Sequence, residues 1–170
     1  MIVNGQYLTC RSRPPIVGME TKKLKVHGTS YGLSEAGYDI RLKQDIIFDF
    51  IEYALFPKSH FIEIDGKKKQ GRFVLASAIE EFDMPNDLVG VVHDKSTWAR
   101  QGISVFNTVI EPGWKGFLTL EIVFHGSEKV RIPAGSGIAQ VLFHKIQDSA
   151  EYNGKYQNQE DRPVPSIWEK

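Results

Sequence analysis

At 170 residues the chain is long enough for one domain with a substantial core. Lys plus Arg and Asp plus Glu each total 21, so no global field draws in nucleic acid or an acidic membrane, and an anionic ligand must be held by a local cluster. A single cysteine excludes an internal disulfide and argues against a thiolate zinc site, and the apolar runs are only strand-length; together these point to a cytoplasmic chain with no membrane-spanning segment.

In chain order, the segment to Arg13 holds a short helix after Asn4, with Pro14 and Pro15 marking its end. The basic run Lys22 to Lys25 reads as a solvated connector. In TSYGLSEAGYDIRL, a turn at Glu35-Ala36-Gly37 delivers the alternating strand Tyr38 to Leu42, with Asp39 opposite Ile40. In a lone strand Asp39 is a surface residue; in an oligomer it could be buried and paired. Short strands separated by turn residues follow at Ile46–Tyr53, His60–Ile64, Arg72–Leu75 and Leu88–His93, then at Ile103–Phe106, Phe117–Phe124, Val130–Ile132 and Gly137–Ile146. This spacing, without long amphipathic helices, indicates an all-β sandwich or barrel in a single domain over residues 1–170. From residue 147 to 170 the chain turns polar, yet Tyr152, Tyr156 and Trp168 supply the aromatic anchors of a segment that closes over a ligand.

The chemistry concentrates between Asp94 and Glu121. Asp94-Lys95-Ser96-Thr97 leads into Trp98-Ala99-Arg100-Gln101 and a stop at Gly102, the pattern of one helical turn capped by Ser96 or Thr97. Such a turn beside Lys95 and Arg100 can seat phosphate oxygens, or it can be a plain surface turn. From Phe117 to Phe124 the residues alternate, with Leu118, Leu120, Ile122 and Phe124 on one face and Phe117, Thr119, Glu121 and Val123 on the other. Glu121 therefore sits mid-strand among apolar neighbours. It is either paired, with Arg100 as the candidate partner, or a general base with a tuned pKa. His93, His125 and His144 read as satisfied edge or core histidines, Trp114 as packing the turn after Pro112-Gly113, and Gln140 as a phosphate contact or a buried amide.

DKSTWARQG and IEPGWKGFLTLE, with AGYDIRL upstream and PAGSGIAQVLF downstream, resemble the dCTP deaminase and dUTPase superfamily over most of the chain. The resemblance implies a distorted β jelly roll, a dUTPase-like subunit assembling as a homotrimer, with nucleotide sites between subunits and substrate bound as its Mg²⁺ complex. Glu121 matches the deaminase's general base and GKYQNQ its closing segment. The implied substrate contacts are Lys95, Ser96, Thr97, Trp98, Ala99, Arg100, Glu111, Thr119, Leu120 and Glu121, with Tyr152, Lys155 and Gln159 from the tail. Glu121, Arg100 and Ser96 are the implied catalytic group.

One cysteine cannot build the paired-cysteine zinc motif of most nucleobase deaminases, and the five histidines lack ligand spacing, so deamination here would be zinc-independent and carried by a carboxylate. The chain departs from the family pattern at Lys95, where arginine is usual, and at Glu111, where aspartate is usual. It departs again in VFNTVIEPGW, which is shorter than its deaminase counterparts, with the gap after Thr108. The shortened segment looks like a dUTPase motif. That leaves two further readings beside deamination of dCTP: Glu111 hydrolysing dUTP, alone or alongside deamination, and a pocket accepting 5-methyl-dCTP. A non-catalytic nucleotide-binding module, in which Glu121 only pairs with Arg100, is the remaining alternative. Nucleic acid is not an expected partner.

Overall fold

The computed structural model describes residues 1–53 and 56–168; Ala54, Leu55 and the last two residues of the closing segment lie outside the described residues. In chain order the elements are β1 (Ile2–Val3), α1 (Gln6–Thr9), β2 (Lys23–Val26), β3 (Thr29–Leu33), β4 (Tyr38–Arg41), β5 (Ile46–Tyr53), β6 (Phe56–Ile64) and β7 (Lys67–Gln70). They continue with β8 (Phe73–Asp83), β9 (Leu88–Asp94), α2 (Ser96–Ala99), β10 (Ile103–Val105), β11 (Val109–Ile110), β12 (Lys115–Phe124), β13 (Val130–Ile132) and β14 (Gly137–Lys145). One sheet runs β11-β9-β14-β4-β3-β2 with β1 also on β14, a second is β10-β12-β8, and a third is β13-β5-β6-β7. The all-β expectation holds. No helix among the described residues is long and apolar enough to cross a membrane.

Alternation explains the core. On β12, Leu118, Leu120, Ile122 and Phe124 are all buried, and Phe124 stacks on Phe48 of β5 with ring centroids 5.3 Å apart. Ile40, Phe82, Val92, Ile138 and Phe143 reach the same interior from the other strands. β8 runs further than the expected Arg72–Leu75. Its two buried polar groups, Ser77 and Glu80, broke the apolar pattern, and both are satisfied in place: Gln44 Nε2 donates to Ser77 Oγ at 2.9 Å, and Arg41 Nε donates to Glu80 at 2.8 Å. The basic connector is in fact strand β2, paired antiparallel with β3 so that its lysines alternate outward. β7 was hidden by its three lysines, which suit an exposed edge strand.

Asp39 does not need an oligomer to be buried and paired. It is 3% exposed within the single chain, accepting hydrogen bonds from Lys95 Nζ at 2.5 Å and Ser30 Oγ at 2.8 Å. Gly137 seals this corner, because a Cβ there would lie 1.9 Å from the Ser30 carbonyl oxygen. The neighbouring Trp98 Nε1 donates to the Gly137 carbonyl at 2.8 Å. Gly137→Ala is therefore expected to cost about 3 kcal/mol, at the upper end of overpacking, since backbone rather than a side chain must move. Denaturant unfolding checks this: an unchanged midpoint would show that the corner can relax.

Candidate active site

The α2 turn forms where expected and ends at Gly102 with φ +77°, but neither Ser96 nor Thr97 caps it. Lys95 occupies the N-cap position in extended backbone and no side chain caps the helix. The Asp94 carboxylate instead accepts from Val105 N at 2.6 Å, tying the turn to β10. Ser96, Thr97, Ala99 and Arg100 are exposed on this turn. Trp98 points into the core at 5% exposure. Lys95, whose side chain is 12% exposed, is committed to Asp39 and Ser30.

On β12, Glu121 lies half-buried on the strand face opposite the core, with no partner from another side chain among the described residues. Burial pushes its carboxyl above the usual carboxylate range, drawn back only in part by its own backbone N–H. The anticipated Arg100 pairing is not made within the chain. Glu121 lines a cavity of about 480 Å³, whereas Arg100 lines a separate open one with Gly126–Val130.

Around Glu121 the larger cavity collects Thr119, Glu111, Tyr152 and Gln159 from the expected set. It does not collect Leu120, which is 1% exposed in the core, or Lys155, whose ammonium donates to the Ile167 carbonyl at 2.6 Å and lies over the Tyr156 ring. Phe73, Leu75, Trp114, Tyr156, Val164 and Ser166 also line it and were not anticipated as site residues. Trp114 does pack the turn, but its indole N–H also donates to the Tyr156 carbonyl at 2.6 Å. The signal for the two β8 residues was the alternation of Phe73 and Leu75, which places them on one strand face.

The polar segment after residue 146 is the wall of this cavity. Tyr152 N donates to the Pro112 carbonyl, Gln157 reaches Lys115 N and the Gly113 carbonyl, and Gln159 bridges Gly116 in parallel register. Thr119 Oγ1 donates to Gln159 Oε1 at 3.3 Å and accepts from Val164 N at 3.0 Å, which explains why a strand threonine is buried on the cavity side. Gly116 permits the contact: its φ is +128° and a Cβ would lie 2.5 Å from Gln159 N. Gly116→Ala is expected to detach the segment and raise the nucleotide KM by roughly tenfold, the scale of a lost positioning contact. Faster proteolytic cleavage after residue 150 would accompany it; an unchanged KM would mean that the docked tail does not contribute to binding.

The all-β architecture around this pocket is similar to that of solved dUTPases. EIAV dUTPase superposes with a TM-score of 0.50 at 15% identity, covering 81% of this chain and 93% of that one. Staphylococcus bacteriophage 80alpha dUTPase gives the same score at 14% identity over 80% and 90%. The sequence carries the family further than the fold does. A family model described as dCTP deaminase-like matches residues 19–146. The protein named dCTP deaminase in Campylobacter concisus is 39% identical over 152 residues, 81% of this chain and 82% of that one. Its counterpart in Acidobacterium capsulatum is 33% identical over 160 residues, 86% and 87% of the two chains. The chain belongs to the dCTP deaminase-like family.

Proposed function

We propose that the protein hydrolyses dCTP to dUTP and ammonia, with Glu121 as general base. The observation that carries this reading is an unpartnered carboxylate, raised in pKa by burial, on the floor of a nucleotide-sized cavity. Glu121 takes a proton from water as the water oxygen bonds to C4 of cytosine, and passes it to N3. The hydroxyl proton then moves to the exocyclic nitrogen, the C4–N bond breaks, and ammonia leaves a C4 carbonyl behind.

Arg100 and Ser96 complete this chemistry from a neighbouring subunit of a homotrimer, Arg100 stabilising developing charge and Ser96 positioning the water. Their exposure on α2, away from their own chain's Glu121, supports that arrangement. The triphosphate arrives as its magnesium complex, the ion held by phosphate oxygens and retained waters. The carboxylates lining the cavity are Glu111 and Glu121, oxygen donors that suit a hydrated ion carried on phosphates. Because Lys95 is committed to Asp39, phosphate charge falls to the magnesium ion and to Lys155, whose neutral carbonyl partner is readily exchanged.

A second reading rests on Glu111, exposed on the rim of the same cavity: it would activate water at the α-phosphate of dUTP, releasing pyrophosphate. Separating the products formed from dCTP and from dUTP with Mg²⁺ tests both. Deaminated triphosphate from dCTP with dUTP untouched supports Glu121 chemistry alone; pyrophosphate from dUTP, abolished by Glu111→Gln, moves the hydrolysis to Glu111.

A further inference from the structure

The floor of the cavity is chemically divided along β12. At one end Thr119 and the tail's Gln159 bond each other, leaving the amide nitrogen of Gln159 as a donor without a partner among the described residues. Two residues on, about 7 Å along the strand face, stands Glu121. Directly across from Glu121 on β8 is Leu75, and Phe73 stands beside it opposite Val123. Val109 of β11 lines the cavity as well, and the Phe73 and Phe106 rings lie 6.2 Å apart. The β8 flank of Glu121 is thus apolar, while the tail brings the Gln159 amide to the Thr119 end of the cavity beside Tyr152, Tyr156 and Val164.

The connection above this apolar flank is short. Only Phe106, Asn107 and Thr108 separate β10 from β11. The connection is drawn tight by Phe106 N donating to the Glu121 carbonyl at 2.9 Å, and by Val92 N donating to the Thr108 carbonyl at 3.0 Å. No longer loop folds back to fill the space against Leu75.

A cytosine ring placed with C4 over Glu121 has two ring neighbours at that carbon. N3 of the bound nucleotide is a hydrogen-bond acceptor, so it belongs on the side of the Gln159 amide N–H, while the proton it gains during the reaction comes from Glu121. C5 then faces Leu75, Phe73 and Val109. A bare C–H there leaves apolar surface uncovered, whereas a small alkyl group buries it. Resting on the deaminase reading, we propose that this pocket is built for cytosine deoxynucleotides bearing a small apolar substituent at C5, seated on the Leu75, Phe73 and Val109 wall.

The test compares kcat/KM for 5-methyl-dCTP and dCTP in the purified protein with Mg²⁺, following ammonia release, and repeats the ratio in Leu75→Thr and in Val109→Thr. The second variant alters an exposed position and keeps the test alive if the first fails to fold. The expected result is a methyl-to-hydrogen ratio of one or more, falling roughly four- to tenfold in the variants, the worth of one buried methyl group in a substrate pocket. Deamination of dCTP with 5-methyl-dCTP more than tenfold worse would overturn the inference and leave the deaminase reading standing. A ratio unmoved by both substitutions would overturn the assignment of the wall. Absence of ammonia from either nucleotide would bring down the deaminase reading, and this inference with it.

Discussion

Glu121→Gln is expected to lower kcat by on the order of 10²–10⁴-fold, the range for removing a positioned acid–base group, while nucleotide affinity stays within a few-fold of the parent. Glutamine preserves the shape and one acceptor oxygen but cannot take the proton from water. The pH profile gives an independent signature. Burial raises the Glu121 pKa above its ordinary 4.5, so the ionised form needed for catalysis is lost at a higher pH than for a solvated glutamate. The acidic limb of kcat/KM should therefore lie above the ordinary carboxylate range and be absent from the residual activity of the variant.

The same shift has a stability consequence of opposite sense. A carboxyl whose folded pKa is raised favours folding below its unfolded pKa, and that contribution is lost as pH rises through the folded value. At neutral pH the ionised group is a net cost, so Glu121→Gln should melt no lower than the parent. Lost turnover together with a lowered melting temperature would point to misfolding, and retained turnover would remove Glu121 from the chemistry.

Lys95→Met is expected to destabilise the fold by about 3–5 kcal/mol, because it strands Asp39 as an unpaired charge in the interior. For a chain of this size that is a fall in Tm on the order of 10 °C. Asp39 Oδ1 is already buried without a partner, so the site has little spare capacity to absorb the loss. Asp39→Asn combined with Lys95→Met should recover part of the stability, since no uncompensated charge remains, and thermal unfolding of the parent, the single variant and the double variant measures this directly. If Lys95 instead grips phosphate, Lys95→Met should leave Tm nearly unchanged and raise the nucleotide KM. The two outcomes separate a residue that fixes the α2 turn from one that binds substrate.

The pair also illustrates a limit of pattern reading. Beside Ser96 and Arg100, a lysine in DKSTWAR looks like part of an anion seat, and nothing nearby in sequence reveals a competing partner. That partner comes from β4, which pairs with β14, and β14 in turn pairs with β9, placing Asp39 beneath the start of α2. Arg100 and Glu121 show the converse. Two residues that the motif pattern groups together line different cavities of one chain, a separation that depends on how the sheets pack.

Features that depend on local period and turn chemistry were legible in the residues alone. The alternation of β12 placed Glu121 opposite the core and Leu120 inside it, and Gly102 closed the α2 turn. Short strands without helical period excluded a parallel α/β architecture, and the motifs from AGYDIRL to PAGSGIAQVLF identified the family. The tertiary structure alone decided which polar groups are already committed and which are free to act. Lys95 is held by Asp39, Thr119 by the tail, and Trp114 by Tyr156, while Glu121 is left without a side-chain partner beside an apolar wall from β8. These outcomes rest on contacts between residues far apart in sequence, such as Gln159 on Gly116 and Leu75 across from Glu121, for which local period carries no signal.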